Sequence, residues 1–207
     1  MIERLHSPHI ARVKALLGSR GKKERGQTGL FVAEGIQCLR EAVATQTGPK
    51  VETLFVTPAG LERITKDELD LSGFETLEVS DAVMHEMAET VTPQGILALC
   101  HMPERSISDM TMTGSARFIF LQEAQDPGNA GTILRSADAM GFAGVITSPG
   151  SVDMYSPKVV RSTAGSLWHI PVYEAVSLDE LLDLHPQLKA FALSADAKSS
   201  VTEIDKS

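Results

Sequence analysis

The segment Asp126-Pro127-Gly128-Asn129-Ala130-Gly131-Thr132-Ile133-Leu134-Arg135 joins an apolar run of four, residues 118–121 (FIFL), to a stretch of helical periodicity at 130–140. Four apolar residues are too few for a helix and suit a strand buried on both faces. Ile133, Leu134, Ala137 and Met140 then fall on one helical face, and Gly141 stands where a helix would end. The alternation continues downstream: a strand at 145–147, a helix from Ser156-Pro157 to about 164, a strand at 167–172. Ser177-x-x-Glu180 has the capping-box spacing for a helix ending near His185-Pro186, and a fourth strand is expected at 190–193. A β-α-β-α-β-α-β order predicts a parallel sheet with right-handed crossovers.

Upstream, a polar stretch near residues 102–115 (MPERSISDMTMTGS) lacks apolar periodicity and is expected to be a linker. Ahead of it, Ser7-Pro8 opens a helix carrying Ile10, Val13, Leu16 and Leu17, ended by Gly18 and a basic loop at 19–29. Strands are expected at 30–33, 54–57, 74–79 and 95–100. The helices between them cover 34–44, begin at Pro58, and begin at Ser80. This α-β-α-β-α-β-α-β order predicts a small three-layer α/β domain of about 100 residues.

The 207 residues carry 43% hydrophobic and 22% charged residues, ordinary values for a soluble chain with a real core. No apolar run approaches the roughly 18 residues of a membrane span, and residues 1–14 lack a signal-peptide core. Cys38 and Cys100 make neither a disulfide framework nor a zinc knuckle, so a cytoplasmic protein is expected. Net charge is −8, but it is unevenly divided. Residues 1–25 hold seven basic residues against Glu3 and Glu24, giving +5, and the remainder carries −13. A basic arm on an acidic body suggests a polyanion contact at one end; the plain alternative is a solvated N-terminus.

The 126–135 turn lies where a strand of an open parallel sheet ends, which is where such sheets bind ligands. Pro127 and two glycines leave backbone N–H groups beside a helix N-terminus, a place that favours phosphate. Asn129 could orient a ribose or a base edge, and the planar fork of Arg135 suits a phosphate. The alternative is structural: Asn129 capping the helix and Arg135 paired with Asp138 at i+3. Neither a Walker loop nor a Gly-x-Gly-x-x-Gly fingerprint occurs.

Residues 125–142 (QDPGNAGTILRSADAMGF) resemble the first motif of the SpoU-type (TrmH-like) RNA 2′-O-ribose methyltransferases of the SPOUT superfamily. Residues 159–171 (VVRSTAGSLWHIP) are similar to the segment that follows it. Phe31-Val32-Ala33-Glu34-Gly35 and Thr92-Pro93-Gln94-Gly95-Ile96-Leu97-Ala98 resemble the substrate-binding domain placed ahead of the catalytic one. The resemblance spans nearly the whole chain. It implies an RNA-binding domain at 1–101 with its basic arm at 1–25, a linker at 102–115 and a SPOUT-like methyltransferase domain at 116–207.

It also implies methyl transfer from S-adenosylmethionine to a ribose 2′-hydroxyl of rRNA or tRNA, with Asn129 and Arg135 as the catalytic pair. Arginine is a poor general base at its ordinary pKa, so positioning and electrostatics are the expected roles of Arg135. Leu193, Ser194 and Ala195 match a stretch lining the cofactor pocket, and Arg20, Lys22, Lys23, Arg25, Arg135 and Arg161 are the expected RNA contacts. A homodimer is implied if the family's C-terminal segment is present. The family's second motif (Gly-Asn/Ser-Glu-Gly) and its Ser-Leu-Asn motif do not occur before Ser207. The trefoil knot is therefore expected to be incomplete, and a non-catalytic RNA-binding module is the alternative function. An unrelated nucleotide-binding α/β protein is a weaker one.

Other groups carry less. Phe142, Tyr155 and Trp168 could stack on bases or fill the core. The Ser162-Thr163 pair could bind phosphate or bond to its own backbone. His101, His169 and His185 show no metal-ligand spacing, and no metal is expected.

Overall fold

The computed structural model describes residues 1–45, 47–113, 116–193, 196–197, 200 and 203. The first block is built from α1 (Pro8–Leu17), α2 (Gly21–Thr28), β1 (Leu30–Glu34), α3 (Ile36–Ala44), β2 (Val51–Val56), α4 (Pro58–Lys66), β3 (Glu75–Glu78), α5 (Asp81–Met87) and β4 (Ile96–His101). Hydroxyls open three of these helices: Ser7, Thr57 and Ser80 each accept from a backbone N–H of the first turn. The four strands lie in the order β1-β4-β2-β3, with β4 antiparallel to both neighbours and β3 parallel to β2.

Alternation along the strands sorts the core into two faces. Leu30, Val32, Phe55, Leu97 and Leu99 pack with Ile10, Val13 and Leu16 of α1 and Val83, Met84 and Met87 of α5. Phe31, Ala33, Leu54, Val56, Ile96, Ala98 and Cys100 face the other way, onto Cys38 and Leu39 of α3 and Ile64 of α4. The expected three layers are present.

The basic arm is not an arm. Residues 19–29, expected as a loop, contain α2, whose C-terminal Gly29 takes a left-handed φ of 66°. Arg12 pairs with Glu52 and Lys14 with Glu86, so α1 is tied to the sheet and to α5. Arg25, expected to contact RNA, is 5% exposed and paired with Asp153 of the second block. Its Nη1 donates to the Leu16 carbonyl. Burial and a full set of partners remove Arg25 from any RNA surface.

The second block holds β5 (Phe118–Leu121), α6 (Pro127–Ala139), β6 (Gly144–Thr147), α7 (Pro157–Ser162), β7 (Val172–Tyr173) and α8 (Leu178–Leu184). Its sheet is parallel, in the order β5-β6-β7. The strand expected at 167–172 is mostly a 3₁₀ turn, Ser166–Trp168, set up by Gly165 at φ 96°. The strand expected at 190–193 does not form: Phe191 and Leu193 are exposed and no neighbouring strand pairs with them. Strand propensity without a ladder partner leaves a chain extended but unpaired.

The segment expected as a bare linker is also corrected. Ile107 and Met110 are buried and join Ile146, Tyr173, Val176 and Leu181 in a cluster on one side of the second sheet. His185 Nε2 lies 3.0 Å from the Ile107 carbonyl oxygen, which can only accept. On the opposite side, Ala130, Leu134, Ala137, Val145, Val159 and Val160 run without a break into the first block's core. Among the described residues no helix is long and apolar enough to cross a membrane.

Candidate RNA-modification site

Asp126, not Asn129, caps α6: its carboxylate accepts from the Asn129 N–H at 2.6 Å. This frees the Asn129 side chain from the capping role. The pairing of Arg135 with Asp138 also fails, because Asp138 Oδ2 is taken by His169 Nδ1 at 2.9 Å. Asn129 and Arg135 are exposed, and no hydrogen bond or ion pair links either side chain to another described residue. Thr132 stands between them on the same exposed ridge, at i+3 and i−3. Its hydroxyl donates to the Gly128 carbonyl, and that of Ser136 to the Thr132 carbonyl, so both are turned inward. What remains facing solvent is an amide and a guanidinium about two helical turns apart.

The carboxyl end of the second sheet is tightly braced. Glu123 N–H donates to Ser148 Oγ at 2.7 Å, Gln125 Nε2 to the Gly150 carbonyl at 2.8 Å, and Val152 N–H to the Ala124 carbonyl at 2.7 Å. Glu123, Ala164 and Ala175 all take left-handed backbone conformations, with φ between 47° and 58°. Such conformations cost about 1–3 kcal/mol each and gather at functional sites. Arg161 is exposed on α7; Arg20, Lys22 and Lys23 are exposed on the start of α2 and the turn before it.

The two quoted segments of the first block meet at one end of its sheet. Gln94 Oε1 accepts from Ile36 N–H at 3.1 Å, directly over Gly35, whose φ of 94° admits no ordinary side chain. The Glu34 carboxylate accepts from Glu89 N–H at 2.7 Å and Thr90 Oγ1 at 2.9 Å, fixing the loop ahead of Gln94. Burial raises the Glu89 carboxyl above its ordinary pKa, and the nearby charge of Arg161 on α7 partly offsets it. A shallow cavity of about 230 Å³ beside Thr57, Arg63, His85 and Gln94 opens at the same end.

Phe142 is half-buried beneath the Arg117 guanidinium, 4.9 Å from its ring centre, while Tyr155 and Trp168 are core. Tyr155 packs 5.1 Å from Phe31, and Trp168 Nε1 donates to the Pro49 carbonyl at 2.9 Å. Cys38 and Cys100 are buried free thiols, and burial pushes Cys38 up to about 12, so neither is a nucleophile. Of the three residues expected to line a cofactor pocket, Leu193 is 81% exposed, and Ser194 and Ala195 lie outside the described residues.

Residues 10–98 match the MRM3-like substrate binding domain, and residues 116–207 match the SpoU rRNA Methylase family. The chain is 36% identical over 157 residues to the 23S rRNA (guanosine(2553)-2′-O)-methyltransferase RlmP of Bacillus subtilis, covering 73% of this chain and 56% of that protein. It is 33% identical over 203 residues to an uncharacterized tRNA/rRNA methyltransferase of Synechocystis, covering 96% of this chain and 72% of that one. The fold is similar to a solved AdoMet-bound rRNA methyltransferase from Sinorhizobium meliloti, with a TM-score of 0.74 and 28% identity over 89% of this chain and 67% of that one. The chain thus spans little more than half the length of the Bacillus relative.

Proposed function

The chain belongs to the SpoU rRNA methylase family, and from that premise we propose that the protein methylates a ribose 2′-hydroxyl of ribosomal RNA. S-adenosylmethionine would supply an electrophilic methyl group on a sulfonium. The chain's own residues hold the RNA. Arg135 supplies a charged planar fork for the phosphate beside the target ribose, and Asn129 supplies an amide that both donates and accepts. The observation that carries this reading is that the side chains of Asn129 and Arg135 stand exposed and unpartnered along one ridge of α6, whose N-terminal end adjoins a strained strand-end loop.

In this reading residues 1–101 recognise RNA, 102–115 connect and brace, and 116–207 carry the site. Arg20, Lys22, Lys23 and Arg161 extend the contact along the phosphate backbone. We further propose that the protein acts in the cytoplasm, and as a homodimer if the family's C-terminal segment is present. The test is transfer of labelled methyl groups to ribosomal RNA. A 2′-O-methyl removes the hydroxyl that attacks the adjacent phosphodiester, so the labelled position must resist alkali; label at an alkali-sensitive position would refute the assignment.

A second reading, a non-catalytic RNA-binding module, is favoured by the solvent exposure of Leu193. Calorimetry with S-adenosylmethionine separates the two, since binding by this protein excludes the module.

A further inference from the structure

Ser162 ends α7, and its hydroxyl reaches out of its own helix. Oγ lies 2.8 Å from the Val159 carbonyl oxygen, one turn back, and 3.2 Å from the carbonyl oxygen of Pro127, the first residue of α6. Both partners only accept, so the single hydroxyl hydrogen of Ser162 is shared between them, principally with Val159 and, across 35 residues of sequence, with Pro127. Opposite it stands Gly131, buried within α6. A Cβ at Gly131 would collide with Ser162 Oγ and stand 2.9 Å from the Val159 carbonyl oxygen. A helix-interior glycine costs about 1 kcal/mol relative to alanine. Here the missing side chain is what lets α7 lie against α6 closely enough for the hydroxyl to reach Pro127.

We propose that Ser162, seated against Gly131, is a positioning residue for methyl transfer: it fixes the N-terminal turn of α6 and thereby sets where Asn129 and Arg135 stand. The proposal rests on the reading of those two residues as the substrate-holding pair. The turn is gripped from two sides. Asp126 holds the Asn129 N–H from within the chain, and Ser162 holds the Pro127 carbonyl from α7. Neither the Asn129 nor the Arg135 side chain has a described bond of its own, so their position depends on the helix that carries them. The hydroxyls of Ser162 and Thr163 bond to their own backbone, as one of the two expectations had it, at 2.8 Å to the Val159 carbonyl and 2.7 Å to the Val160 carbonyl; Ser162 in addition reaches across to a second helix.

The test compares Ser162→Ala, Ser162→Thr and Gly131→Ala with the wild-type protein. Three quantities are read: kcat for rRNA methylation, KM for RNA, and amide hydrogen exchange over residues 128–132. A misplacement near 1 Å costs roughly 100-fold in rate, so Ser162→Ala is expected to lower kcat about 10–100-fold with KM nearly unchanged. Its amides at 128–132 exchange faster. Ser162→Thr, which keeps the hydroxyl, restores most of kcat, and Gly131→Ala mimics Ser162→Ala. Wild-type kcat in Ser162→Ala, with or without a loss of thermal stability, would overturn the positioning role. If the wild-type protein methylates no RNA, the functional reading fails, and the exchange data still judge the latch: unchanged exchange in Ser162→Ala overturns it.

Discussion

Arg25 Nη2 and Asp153 Oδ2 lie 2.7 Å apart across 128 residues of sequence, and both side chains are nearly closed to solvent. The pair joins α2 of the first block to the loop before α7. Asp153 Oδ1 also accepts from Tyr155 N–H at 2.8 Å, so this carboxylate anchors the loop that delivers Tyr155 to Phe31. Removing one partner of a buried pair strands the other charge, at a cost of about 3–5 kcal/mol. Arg25→Ala is therefore expected to lower the denaturation midpoint sharply. A midpoint at the wild-type value would show that the blocks do not depend on this contact.

Arg20, Lys22 and Lys23 behave differently because their side chains face solvent. Exposed substitutions of this kind change stability by about 0.5 kcal/mol or less. Their joint replacement by alanine is expected to leave thermal stability near wild type and to flatten the salt dependence of RNA affinity. Each lost phosphate contact removes about 0.9 from the log–log slope. An unchanged slope would take these three residues off the RNA path.

Two groups make the union of the blocks sensitive to pH. His169 sits between Asp138 of α6 and Glu41 of α3, at 2.9 and 3.0 Å. Burial works against the imidazolium, but the hydrogen bonds and charges of Asp138 and Glu41 outweigh it and raise the pKa. A raised folded-state value means that this stabilisation is fully present below the ordinary value of about 6.5 and is lost as pH rises through the folded one. Glu174 accepts from Met154 N–H at 2.9 Å, and burial pushes its carboxyl up to about 7. Its ionisation therefore removes stability as pH climbs from about 4.3 towards that value. Both trends favour mild acid. Melting temperatures of the wild type, His169→Gln and Glu174→Gln between about pH 5 and 9 test this. Glu174→Gln should melt above wild type on the alkaline side, and the advantage of wild type over His169→Gln should fade there; the reverse order would contradict both assignments.

Gly48 marks where the first block touches Trp168. A Cβ there would lie 2.6 Å from the Trp168 carbonyl oxygen and 2.9 Å from its Cα. Trp168 is held by its bond to Pro49 and cannot retreat. Gly48→Ala is expected to destabilise by about 1–3 kcal/mol, the usual range for overpacking. Tryptophan fluorescence during denaturation reads the change at the contact itself, and an unchanged transition would show that the loop yields.

The α6 turn was legible because its signals are local: a short apolar run, Pro and Gly at the bend, then a clean helical face. Local sequence likewise marked the first block's strands, whose two faces bury different helices. What escaped was everything that depends on a distant partner. Arg25 belongs to a basic tract by composition, and only Asp153 makes it a strut. Residues 190–193 have the composition of a strand, yet a strand needs a neighbour to bond with. Ser162 makes the local backbone bond its position suggests, and only its added contact with the distant Pro127 carbonyl escaped. Asn129 and Arg135 were legible by motif, but that Asp126 rather than Asn129 caps the helix depends on how the turn folds.

The central claim is that Arg135 holds the RNA phosphate while a ribose 2′-hydroxyl is methylated. The direct measurement is the rate of methyl transfer to ribosomal RNA by the wild-type protein and by Arg135→Ala, with circular dichroism to establish that both are folded. Removing one preorganised electrostatic contact costs about 10²–10³-fold in kcat, and a loss of that order with an intact fold is the predicted result. Wild-type transfer by a folded Arg135→Ala protein would contradict the account.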